Sequence, residues 1–469
     1  MKEAYTTSQV PIGEVDSIDQ LATPQSTHGG RGNKRWLAHV HHPLRAVGYY
    51  FALVYVFIVF SQLHQLITMA VGIDTHILII VGAPMVLIVL GSGGLRRTLQ
   101  WSAAKYWIGY SLWMVLALPF SSWRGASLSL TWNWLRVEVL ILFVIGGCVM
   151  TWSEMKRLMT VLAWAAVVDV VAGRVFSNQI LGRLEMTGTT MSDPNDFAAQ
   201  LILVLPFLLL VVVSVSQLIV IRIVAAGVLL YGIYLILLSG SRGALIAVGI
   251  AILFILWSLR LRQKILAASI VILLVFAAHI VVPQRILERF ATTFRAPDST
   301  ERDPDAAANE SEQSRRYLLK QSILTTLSHP LFGVGAGQFE NYEGRTAREA
   351  NQHGYWHQTH NSFTEVSSEI GVPALLFFLA AIVATFRMLN SVYRATRKHA
   401  PTRETQQIRA TAFCLLISLV GFCTAIFFLS LAYRFYLPAL TGVTIALYRV
   451  VEQKWSPPGR TGKNLRVTP

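Results

Sequence analysis

Charge is what this sequence has least of. Only 14% of its 469 residues are charged and 54% are hydrophobic, whereas soluble domains carry roughly 25% charge. That balance excludes an ordinary soluble domain. Cysteine is nearly as scarce: Cys148, Cys414 and Cys423 all fall in apolar stretches, which leaves no disulfide framework and no metal-ligand spacing. Residues 1–43 lack the apolar core of a signal peptide and are rich in Ser, Thr, Gly, His and Arg. They read as a disordered cytoplasmic tail whose His28, His39, His41 and His42 are solvated. Acidic residues are outnumbered by Lys and Arg, 25 to 40, for a net charge of +15. Those cations are scattered among short loops, which argues against nucleic acid as a partner.

What is present is long apolar runs. Stretches of about 20 residues match a hydrocarbon core of roughly 30 Å, so the expected fold is all-α: a polytopic helical membrane protein. Twelve spans are expected, near 46–67, 76–93, 105–120, 131–151, 157–173, 196–214, 217–238, 242–258, 265–283, 366–389, 408–429 and 434–450. The chain then divides into nine spans over 44–283, a polar segment over 284–365, three spans over 366–450 and a second tail over 451–469. Even-numbered connections carry clusters such as Arg96, Arg97 and Lys105, or Arg394, Arg397 and Lys398. By the positive-inside rule these are cytoplasmic and the 284–365 segment is periplasmic. The short outer connections hold only Arg124, Arg174, Arg183, Arg242 and Arg434, with no lysine. Guanidinium offers a planar donor fork for phosphate, and snorkelling to headgroups is the plainer reading for Arg124 and Arg434.

Four stretches could carry chemistry. Ser239-Gly240-Ser241-Arg242-Gly243 is a tight break between two apolar spans. Arginine at that depth is costly unless it is paired or faces a water-filled cavity, and Ser241 suits capping of the next helix. Glu312 to Leu327 reads as an amphipathic helix with Leu319, Ile323 and Leu327 on one face and Arg315 and Arg316 one turn earlier. The glycines of Leu331-Phe332-Gly333-Val334-Gly335-Ala336-Gly337 follow no strand, which rejects a dinucleotide loop and leaves them as backbone-fitting residues. Gln358-Thr359-His360-Asn361-Ser362-Phe363-Thr364-Glu365 sets a histidine that titrates near neutral pH at the membrane surface. His357 and His360 have a spacing that fits zinc on a helix, but no further ligand completes a signature. Asp303-Pro304-Asp305 lies in a low-complexity stretch and reads as a flexible loop. Thr187–Phe197 is a polar approach to an outer helix end, where Asp193 and Asn195 suit a turn and cap or contacts to sugar hydroxyls.

In this order the motifs resemble the O-antigen ligase and polysaccharide polymerase superfamily of bacterial membranes. The resemblance rests on Ser-Gly-Ser-Arg-Gly at 239–243, Ser-Arg at 314–315, His-Pro-Leu-Phe-Gly-Val-Gly at 329–335, His-Asn-Ser-Phe at 360–363, Glu369-Ile370-Gly371-Val372-Pro373 and Asp193-Pro194-Asn195-Asp196. It spans about 185–390. It implies a fold of the lipid-linked sugar-transferase type and an inverting, metal-independent glycosyltransferase without cofactor. The donor would be an undecaprenyl-pyrophosphate-linked glycan and the acceptor lipid A–core, at the outer face of the inner membrane. A polysaccharide polymerase sharing the same donor is the nearest alternative, and a transporter or flippase a more distant one. The matching catalytic residues are Arg242 and Arg315 for the pyrophosphate and His360 beside the acceptor. Arg316, Asn361, Glu365, Ser241, Asp193, Asn195 and Arg183 are the expected substrate contacts.

Overall fold

The structure, a computed structural model, describes residues 43–180, 183–185, 193–291 and 306–455. Residues 1–42 and 456–469 of the predicted tails, Asp303-Pro304-Asp305 and Thr187–Ser192 lie outside the described residues, as does the side chain of Arg183, while 451–455 of the second tail continue the last helix. In chain order the helices are α1 (Pro43–Phe60), α2 (Leu63–Val71), α3 (Ile77–Gly91), α4 (Gly94–Leu99) and α5 (Ser102–Ala117). After them come α6 (Arg124–Asn133) and α7 (Leu140–Cys148), joined by a π-turn at Trp134–Glu138, and α8 (Trp152–Val175). A small antiparallel hairpin, β1 (Asn178–Ile180) and β2 (Arg183–Glu185), precedes α9 (Pro194–Val213) and α10 (Ile219–Leu238). Next are α11 (Arg242–Ser258), α12 (Leu261–Val281), α13 (Gln284–Ala291), α14 (Ala306–Ser328) and α15 (Phe339–Glu349). The last four are α16 (Ser362–Ile370), α17 (Val372–Lys398), α18 (Arg403–Ala425) and α19 (Tyr436–Trp455).

The protein is a polytopic helical membrane protein. Eight helices among the described residues are long and apolar enough to cross a bilayer, and α3 and α11 are shorter apolar helices. Each predicted span overlaps helix, yet α5 and α19 fall in neither set. The reason is packing. Helix α19 is buried along most of its length, so neighbours rather than lipid surround it and polar side chains are tolerated. Its Thr441 accepts a hydrogen bond from Trp107 Nε1 at 3.0 Å and meets the Thr385 hydroxyl at 2.9 Å. Such interhelical hydrogen bonds fix contacts where lipid supplies no hydrophobic drive. Helix α9 is the hub, packed against α8, α10 and α18. Its Gln200 donates to Asp169 at 3.0 Å and to the Phe60 carbonyl at 2.7 Å.

The carbonyls ending α7 would be orphaned in an apolar interior. Three buried arginines satisfy them: Arg97 on Gly147, Arg45 on Cys148, and Arg449 on Gly146 and Val149. Cations at a helix C-terminus also suit its dipole.

One expectation needs correction. The tenth span does not begin at residue 366. The helix breaks at Gly371, whose φ of +89° suits only glycine, and a Cβ there would run into the Leu331 carbonyl. Glu365 and Glu369 therefore lie on the separate short helix α16. On α14 the face that packs on α16 is Leu318, Ser322 and Thr325. The apolar face read from sequence points away, with Ile323 46% and Leu327 71% exposed.

Candidate active site

Four elements converge on one cavity of about 290 Å³. Arg242 comes from the first position of α11 and Arg289 from α13. Arg315 and Arg316 come from α14, and His360 and Asn361 from the approach to α16. Asn195 closes one side, while Ile246, Leu319, Phe427 and Phe428 supply apolar wall. Four guanidinium groups together with aliphatic and aromatic carbon make the cavity lining amphiphilic.

The local sequence explains each placement. Gly240, at φ +60°, turns the chain between α10 and α11. Ser241 accepts from the Ala244 N–H at 3.3 Å and so caps α11, which sets Arg242 at its first turn. Gly243 lets the helix approach the 426–428 turn, where a Cβ would meet Phe428 Cβ at 2.8 Å. Arg289 donates from Nε to the Gly240 carbonyl at 3.1 Å, locking α13 onto the same turn.

His360 has φ +51°, a left-handed conformation that a non-glycine residue adopts only under constraint. The constraint is visible. Its backbone N–H donates to Ser430 Oγ at 2.9 Å, Ser430 meets Thr359 Oγ1 at 3.1 Å, and Ser362 Oγ donates to the Leu429 carbonyl at 2.7 Å. Asn361 accepts from Phe363 and Thr364 N–H at 2.9 and 3.1 Å, capping α16 immediately after the histidine. Burial pushes the His360 imidazole down to about 4, the Arg315 charge adds to the fall, and Asp193 opposes it. Its ring is therefore neutral at pH 7. Burial also lowers Arg315 from the ordinary arginine range, with Asp193 and Asp196 holding it up and Arg242 pressing it down.

Arg242, Arg315, Arg316, His360, Asn361 and Asn195 are thus brought together as the sequence suggested. Asp193 stands beside them, accepting from Asn195 N and Nδ2 at 2.6 Å each and capping α9. Ser241 is a buried helix cap outside the cavity lining. Glu365 is not in the cavity: its buried Oε2 accepts from the Ala432 N–H at 3.1 Å. Glu369 takes the N–H groups of Gly337 and Phe339 at 2.6 and 3.2 Å, so it holds the glycine loop and caps α15. Burial raises both carboxyls above the ordinary range, and Glu369 adds to the rise at Glu365. The glycine loop itself docks on α16 by backbone, Val334 N–H to Ser368 O at 2.9 Å and Gly335 N–H to Glu369 O at 2.8 Å.

Arg289 was missed. Its signal was the pair Arg285 and Arg289 directly after Pro283, one helical turn apart at the edge of the polar segment. Among the described residues no group of three His, Cys, Asp or Glu side chains is placed to hold a metal ion.

Fold and cavity define a multi-pass membrane protein with an arginine-rich, histidine-bearing pocket at the end of its helices. Residues 226–379 match the family model described as O-antigen ligase. The match begins in α10, covers Arg242, Arg289, Arg315 and His360, and ends in α17, so the chain is similar to the O-antigen ligase family over the segment that supplies the arginines and the histidine of the cavity. No curated protein matches the chain.

Proposed function

We propose that this protein is an inverting glycosyltransferase of the O-antigen ligase type. It moves a glycan from undecaprenyl pyrophosphate to lipid A–core at the outer face of the bacterial inner membrane. The observation that carries this reading is the gathering of four arginines with His360 in one cavity that Ile246, Leu319, Phe427 and Phe428 also line. A lipid-linked pyrophosphate has that same two-part chemistry. Its phosphates suit the guanidinium groups, and its first isoprene units suit Ile246, Leu319 and Phe427.

In the reaction an acceptor hydroxyl attacks the anomeric carbon opposite the pyrophosphate, the carbon–oxygen bond to phosphate breaks, and the configuration inverts. Charge grows on the departing pyrophosphate. Arg242 and Arg315 are fixed before reaction by the Ser241 cap and by burial, and such preorganised donors are worth roughly 10²–10³ each in rate. Neutral His360 accepts the hydrogen bond, and as the bond forms the proton, of the attacking hydroxyl, a role worth roughly 10²–10⁴. No step is assigned to a metal or cofactor. In this reading the 284–365 segment is periplasmic, both tails are cytoplasmic and twelve helices span the membrane.

The test is rescue of a deletion strain of the source organism by the intact gene or by Arg242→Ala, with surface glycans read on gels and carrier-linked glycans in lipid extracts. Long chains should disappear from lipid A–core and accumulate on the carrier in the variant, at normal membrane levels of protein. Cores bearing a single repeat, without long carrier-linked chains, would point to a polymerase instead. Normal transfer by abundant Arg242→Ala protein would refute the mechanism.

A further inference from the structure

Beside the cavity, the loop between α15 and α16 carries a feature that the proposed reaction does not use. Trp356 is 45% exposed and sits at φ +55°, a second left-handed non-glycine residue within five positions of the chain. The chain holds it there by a buried carboxylate. Glu343 on α15 accepts the Tyr355 N–H at 3.3 Å through one oxygen and the Trp356 N–H at 3.1 Å through the other. The Tyr317 hydroxyl, next to Arg316 on α14, hydrogen-bonds the same carboxylate. One carboxyl group thus ties the arginine helix α14, the helix α15 and the loop leading to His360.

The indole is seated face down. A Cβ built on Gly344 would run into Trp356 Cδ2 and Cε2, the two atoms of the fused bond. Those atoms are reachable only through a ring face, so one face of the indole lies flat on the helix at Gly344. Gly354 clears the same approach, since its own Cβ would meet Gly344 Cα at 2.9 Å. The opposite face accounts for the exposure. A large aromatic face turned to water at this cost in backbone strain is a binding surface in search of a flat apolar partner.

We propose that the outward face of Trp356 is a saccharide-stacking subsite that receives a pyranose ring of the acceptor glycan four residues along the chain from His360. The axial C–H face of a pyranose is the flat apolar surface of a sugar, and indole is the largest aromatic platform a protein offers it. Glu343 is a positioning residue, fixing the loop so that a ring stacked on Trp356 directs its hydroxyls toward the cavity. The proposal rests on the glycosyl-transfer reading above.

The experiment is steady-state transfer by the full-length protein in nanodiscs, varying acceptor and carrier-linked donor separately, for wild type, Trp356→Ala and Trp356→Phe. Trp356→Ala should raise the acceptor KM by about ten-fold with kcat and donor KM little changed, and Trp356→Phe should restore part of the loss. A rise in donor KM alone would overturn the acceptor assignment and give the stacked ring to the donor glycan. Unchanged KM values for both, at normal melting temperature, would overturn the subsite altogether. Absence of transfer by wild type would sink the enzymatic reading and the acceptor role with it, leaving saccharide stacking on Trp356 to be tested by binding alone. Titration of wild type and Trp356→Ala with delipidated surface oligosaccharide of the source strain would then decide it, since equal heats for the two proteins would overturn stacking.

Discussion

The protonation of His360 is the sharpest consequence of the cavity. Its imidazole is held near 4 by burial and by Arg315, against 6.5 for an ordinary histidine. The gap is 6.5 − 4, and at 1.36 kcal/mol per unit it disfavours the imidazolium by about 3 kcal/mol. A base is lost as pH falls through its pKa, so kcat/KM, which reports the free enzyme, should hold to about pH 4. Donor binding changes the electrostatics. A pyrophosphate beside the ring favours the cation, so the acid limb of kcat, which reports the bound complex, should lie at higher pH than that of kcat/KM. Arg315→Gln removes the second cause but not the first, so its free-enzyme limb should rise only part of the way toward 6.5. The assay is transfer of carrier-linked glycan in nanodiscs over pH 3.5–8. Coincident limbs near 6.5 in the wild-type enzyme, or no response to Arg315→Gln, would refute the argument.

Other expectations follow from single contacts. Arg289→Ala should lower transfer by about ten-fold or more, because it removes both a cavity guanidinium and the bond to Gly240; Arg289→Lys should recover little, since ammonium lacks the fork. Thermal unfolding in detergent should show Gly371→Ala destabilised by at least about 2 kcal/mol, from its φ of +89° and the Leu331 carbonyl against the new Cβ. Chelator at millimolar concentration should leave transfer unchanged, given how the described His, Cys, Asp and Glu are dispersed. Recovery of activity by added divalent cation after chelation would show otherwise.

Much of the cavity was legible because polar residues that interrupt apolar runs are conspicuous. Arg242 stands out between two spans, and Arg315, Arg316 and His360 stand out in the one long polar segment. Roles set by distant packing were not legible. Glu365 is an expected substrate contact by resemblance, yet its partner is the Ala432 N–H, on a turn that no local pattern brings to α16. Nothing local shows that Arg289 joins the cavity, because α13 reaches it by folding back on Gly240. The apolar stripe of α14 is legible in the sequence, but its neighbour is not. Periodicity reports which residues share a face, and it cannot say whether that face meets protein or lipid.

That last point bears on how a lipid-borne donor reaches the arginines. Helix α14 buries Leu318, Ser322 and Thr325 against α16 while Ile323, Leu324 and Leu327 stay exposed. In water such a face is unfavourable; on a bilayer it is a helix lying in the interface with its apolar side toward the acyl chains. Leu319 on the same stripe is cavity wall, so the exposed apolar stripe of α14 reaches the pocket. Arg315 and Arg316 sit one turn before it on the same helix. A carrier lipid moving in the plane of the membrane would meet α14 with its chain on the leucines and its pyrophosphate level with the guanidinium groups. Under the proposed glycosyl transfer the amphipathic helix would be the threshold of the site, which would give its exposed apolar face a use that a protein-packed helix could not supply.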